Sequence, residues 1–137
     1  MSDINAAMAA AASGLRAQTA RMRIAAENVA NANSTGQTPG SDPYRRRVPL
    51  LQSSMLKDAG AIGVRLAGAM DDQSAFRTQY QPNHPAADAS GMVKLPNVDS
   101  VVEMMDLREA SRAYEANLNM IEAARAMTSR ALELLRR

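Results

Sequence analysis

The last forty residues, Val98 to Arg137, contain neither glycine nor proline. A stretch of that length without a breaker predicts one long helix, about 55 Å from end to end. In "PNVDSVVEMM" either Asn97 or Asp99 is placed to cap its start. Met104, Leu107, Tyr114, Leu118 and Ile121 keep heptad spacing, with Ser111 in one slot. After a slip of register Ala124, Met127, Ala131 and Leu134 or Leu135 continue the pattern, with Leu132 beside it. The N-terminus mirrors this arrangement. Ile4, Met8, Ala11, Leu15, Met22, Ala25 and Val29 follow a heptad with Gln18 in the remaining slot, which predicts a helix from Asp3 to about Ala32, some 45 Å long. Ser2 or Asp3 is placed to cap it, and Asn31, Asn33 and Gly36 to stop it. Alternating steps of four and three are those of a coiled-coil seam. The two helices are therefore expected to pair along an assembly seam of Ile4, Met8, Ala11, Leu15, Met22, Val29, Met104, Leu107, Tyr114, Leu118, Ile121, Leu132 and Leu135.

Between the helices the chain changes in kind. Five of the six prolines and five of the seven glycines lie in residues 40–97. Short apolar or alternating runs, "RRVPLLQS", "IGVRLAG", "AFRTQYQ" and "GMVKLP", read as small strands, and "QPNHPAAD" reads as extended loop. The fold class is mainly α with a small β insert: an N-terminal assembly helix in 1–36, a β-rich insert with loops in 37–97, and a C-terminal assembly helix in 98–137.

Aromatic rings usually dominate core burial, and this chain has one Phe, three Tyr and no Trp. Its core must be thin and built from Ala and Met, so self-association is expected. A helical hairpin alone would have one Ala-rich seam and nothing over its back. The net charge is +2. Basic and acidic residues number three and two before Gly40, seven and five from there to Asn97, and six and seven after it. No block has the charge density of a nucleic-acid binder. The absence of cysteine removes disulfides and thiol chemistry, and suits a chain that crosses a membrane unfolded. "MSDINAAMAAAASGLRAQTAR" lacks a basic start and an unbroken apolar core, so it is not a Sec signal, and any export is expected to use a route that does not cleave it. No run reaches the ~18 apolar residues of a membrane span.

The residue patterns that could carry chemistry are weak. Gly36 to Gly40 lacks the lysine and the preceding strand of a phosphate loop. Arg45, Arg46 and Arg47 form a basic triplet with one aromatic neighbour, which reads as a solvated or subunit-facing strand start. His84 stands alone in a Pro-flanked loop, so neither metal nor cofactor is expected. Asp71 with Asp72 reads as turn charge, and Glu103 with Asp106 as helix-start charge favoured by the helix dipole. The expectation is a non-enzyme.

"GLRAQTARMRIAAENVANANSTG" resembles the N-terminal signature of the bacterial flagellar axial proteins, carried here by Ala26, Asn28, Val29, Ala30 and Asn31. "DPYRRRVP", with Tyr44 and Arg45–Arg47, and the run Asn83, Pro85, Ala87, Asp88, Gly91, Val93, Pro96, Asn97 and Val98 are similar to the proximal-rod members of that family. So is Ala110–Tyr114 with Asn117. The resemblance covers nearly the whole chain, residues 52–75 being loosely matched. Two departures are the Ala-rich residues 6–12 and a longer "STGQTPGSDP" linker.

The resemblance implies a structural rod subunit exported through the flagellar type III apparatus, assembled across the periplasm in the basal body. It implies contacts with copies of itself, with other rod proteins, and with membrane-ring and export-gate components. Asn28, Ala30, Asn31, Tyr44, Arg45, Arg46, Arg47, Asn83, Pro85, Asp88, Gly91, Pro96 and Asn97 are its signature and expected subunit contacts. No nucleic acid, small-molecule substrate or membrane insertion is expected. The rival reading is a soluble helical-hairpin module whose arginine patch grips an anionic ligand. A peptidoglycan-hydrolysing rod protein is a second, and no plausible pair of catalytic carboxylates supports it.

Overall fold

The computed structural model describes all of residues 1–137. Two helices, α1 (Ser2–Ala30) and α2 (Ser100–Leu135), enclose four strands in sequence: β1 (Arg47–Leu56), β2 (Ala61–Asp71), β3 (Arg77–Tyr80) and β4 (Met92–Leu95). The strands form two separate antiparallel hairpins, β1–β2 and β3–β4. The expected fold class is the observed one. α1 starts without a side-chain cap, contrary to the expected Ser2 or Asp3. Asp99 caps α2 by accepting from the Val101 N–H at 3.0 Å.

The helices run antiparallel. Asn28 meets Glu103, Arg21 pairs with Asp106 and Glu109, and Gly14 lies against Asn117. A Cβ at Gly14 would sit 2.6 Å from the Asn117 amide nitrogen, so that crossing requires glycine. α1 also carries the β1–β2 hairpin, while α2 packs on α1 and on no strand. The Ser13 hydroxyl accepts from the Val64 N–H at 3.0 Å, and a side chain at Gly63 would strike it. Ser13 and Gly14, adjacent and both buried, thus bring a strand and a helix onto two sides of α1.

The seam between the helices differs from the expected one. The buried residues of α2 are Glu103, Ala110 and Ala124, all one heptad position, and Asn117 shares it. This heptad is continuous, so no slip of register occurs. Leu107, Tyr114 and Ile121 are half-buried beside it, but Met104, Leu118, Leu132 and Leu135 are exposed and stand outside the intrachain seam. On α1 Ala11 is buried and Ile4, Met8, Leu15, Met22 and Val29 are half-buried, whereas Gly14, Ala17 and Asn28 are buried. Small and polar residues let the helices approach closely, and the bulky apolar ones are displaced to the flanks.

Only 16 of 137 residues are buried, and no Leu, Met or aromatic residue is among them. The accessible surface is 9061 Å². A compact monomer of this mass would expose about 6,900 Å², so the chain shows roughly 2,100 Å² more than a finished globule.

Candidate assembly interface and its junction

Of the 17 exposed large apolar residues ten lie on α2, and Leu50, Leu51, Met55, Ile62 and Met70 lie on the β1–β2 hairpin. Met104, Leu118 and Leu132 form one interrupted stripe at two-heptad spacing, with Ser111 and Arg125 in the slots between, and Met120, Met127 and Leu134 form another at heptad spacing; all six apolar residues are at least 38% exposed. At 100° per residue the first stripe lies about 100° round the helix from the buried one. The second lies about 60° the other way. Apolar residues therefore flank the intrachain contact on both sides. Beyond Ala131 the helix projects past the start of α1, leaving Leu134 and Leu135 72% and 83% exposed.

The signature residues gather elsewhere, where α1 ends, β1 begins and α2 starts. After Ala30 the Asn31 side chain folds back on the Glu27 carbonyl (2.9 Å), and residues 31–43 form a loop. Asn28 closes its base: its amide nitrogen donates to the Arg47 carbonyl (2.8 Å) and to Glu103 (3.2 Å). Its oxygen accepts from the Arg47 N–H (3.0 Å) and the Tyr44 hydroxyl (2.7 Å). Asn97 does the equivalent work before α2, accepting from the Arg46 N–H (2.7 Å) and donating to the Asp72 carbonyl (2.9 Å) and to Ser74. Beyond this closed base the linker packs against the β3–β4 side of the insert, with Gly40 N–H on the Ala86 carbonyl and Asp42 paired with Lys94.

Each arginine of the triplet has a partner within the chain, with Arg45 and Arg46 half-buried and Arg47 exposed, as expected of a strand start that faces solvent. Arg45 stacks over Phe76 at 4.2 Å and donates to the Asp72 and Ser74 carbonyls. Arg46 pairs with Glu103 and with Asp72, and Arg47 pairs with Glu27. The hydrogen bond to Glu103, chiefly, holds the Arg46 guanidinium protonated more firmly than usual. Burial pushes the Tyr44 hydroxyl up. Asp72 lies below the usual carboxylate range because the Ser74 N–H and hydroxyl bond to it, with Arg46 adding to the effect. A free arginine patch for an anionic ligand is not what this geometry offers.

Of the other signature residues Ala30 and Pro96 flank this junction, and Asn83, Pro85, Asp88 and Gly91 lie apart from it. Asp88 and Gly91 form the turn into β4, where Asp88 accepts from Ser90 and Met92 and Gly91 has φ +82° with Tyr80 packed over it. Pro96 is buried, while Ala30, Asn83 and Pro85 are exposed. Glu103, only 1% exposed, was missed as a junction residue. Stepping back one heptad from Ala110 would have found it: a carboxylate on the buried stripe needs a cation, and "YRRR" offers one.

Comparison with known proteins follows the same outline. The family profile described as "Flagellar basal body rod FlgEFG protein C-terminal" matches residues 89–134. A "Flagellar basal-body rod protein FlgC" from Agrobacterium fabrum is 44% identical, over 99% of this chain and 98% of that one. Proteins of the same description from Salmonella typhimurium and Bacillus subtilis are 39% and 38% identical, each over 90% of this chain and 92% of theirs.

Proposed function

Because the chain belongs to the flagellar basal-body rod protein FlgC family, we propose that it is a structural subunit of the proximal rod that assembles through its paired terminal helices. It is not an enzyme; its work is to hold neighbours. The observation that carries this reading is the pair of apolar stripes flanking the helix contact on α2, which the chain itself leaves uncovered. A helix pair with one apolar flank would dimerise and stop, whereas two flanks allow each subunit to sit between others. The surplus of roughly 2,100 Å² is what a subunit with several neighbours would cover, at about 800 Å² per partner for a standard interface.

The neighbours are copies of this chain and other rod proteins, with membrane-ring and export-gate components at the margins of the rod. Export in an unfolded state fits a Cys-free chain with a thin core. No helix is long and apolar enough to cross a membrane.

The test is complementation of a strain lacking the gene with the native chain or with Met120→Asp. The native chain should restore swimming. Met120→Asp should be produced and exported yet give no complete rod, and normal swimming would overturn the reading.

A further inference from the structure

The buried Glu103 carboxylate has two side-chain donors, and they come from different segments. One is Asn28, on the last turns of α1, and the other is Arg46, on the strap that leads into β1. The strap's own backbone is held at Arg46 by Asn97 and at Arg47 by Asn28. We propose that Glu103 is the positioning residue of a latch, which makes docking of the start of α2 and closure of the strap a single event. The physical reason is the difference in exposure between the partners: 1% for the Glu103 side chain against 23% for Arg46. A carboxylate that buried cannot stay charged in place without its cation. The guanidinium, by contrast, can turn towards water or keep its pairing with Asp72.

A contact between two equally exposed partners would lose similar amounts whichever was removed, and one that did not tie the two segments together would open only one of them. The latch predicts an ordered asymmetry instead. Arg46→Met strands the carboxylate and should open both segments. Glu103→Leu leaves a guanidinium with an exit and should open them less. The double variant replaces a buried pair with apolar groups of similar size, and should close again.

The experiment is hydrogen exchange on the full-length chain, following peptides over residues 42–49 and 98–106, with residues 88–95 as the distal reference. In the native chain the first two should be protected together. Arg46→Met should speed exchange in both by about a hundredfold or more, Glu103→Leu by about tenfold, and the double variant should lie within about threefold of native. Should Arg46→Met unfold the reference peptide as well, the double variant decides, since only the latch requires its protection to return. Equal effects of the two single changes, additive effects in the double, or separate opening of the two peptides in the native chain would each overturn the proposal.

Discussion

Asn28 makes four hydrogen bonds with one side-chain amide, so nothing smaller or differently charged can replace it. Asn28→Ala would leave the half-buried Tyr44 hydroxyl, the Arg47 N–H and the buried Glu103 carboxylate without this partner. The expected cost is about 3 kcal/mol in urea unfolding, in the range for orphaning buried polar groups. Asn28→Asp should cost more, because it sets a second carboxylate beside Glu103. Asp88 makes a different prediction. The Met92 N–H, first, and then the Ser90 hydroxyl and N–H hold its carboxyl below the ordinary value. A depressed folded value means the turn's stabilisation is present above about pH 3.9 and is lost as pH falls through the lower folded value. An NMR titration should show the Met92 amide shifting only in that acid window, and Asp88→Asn should abolish the step. A Met92 transition at or above the ordinary carboxylate range would contradict the assignment.

At the scale of elements, both helices and the four strand positions were legible because breakers and heptads are local signals. Which heptad position faces inward was not. A helix that pairs within the chain and carries apolar flanks as well shows hydrophobic residues on several faces, and spacing alone favours the bulkiest stripe. Met104 and Leu118 were therefore assigned to the seam that Glu103, Ala110 and Asn117 occupy. The junction was half legible: the motifs flagged Asn28, Tyr44 and Asn97, but their convergence depends on Glu103, 75 residues after Asn28. The corrected phase separates two substitutions. Gly14→Leu should splay the helices by driving into Asn117, lowering helicity and the melting temperature of the isolated chain. Leu118→Asp, on a residue 38% exposed, should leave helicity and melting of the isolated chain nearly native while blocking assembly. A circular-dichroism melt separates the two, and a large drop in Tm for Leu118→Asp would place Leu118 inside the contact between the helices.

For the molecule as a whole, the junction and the small-residue seam shape the subunit, and the proposed role of the apolar flanks of α2 is to join it to others. The large exposed surface and the thin core are what that proposal requires of a rod-family subunit. The most direct measurement is an electron cryomicroscopy map of assembled basal bodies with this chain traced in the rod. The account predicts Met104, Leu118, Met120 and Met127 buried against neighbouring subunits, with Gly14 still packed on Asn117 of the same chain. Solvent over both stripes, with the subunit contacts made instead by other surfaces, would contradict it.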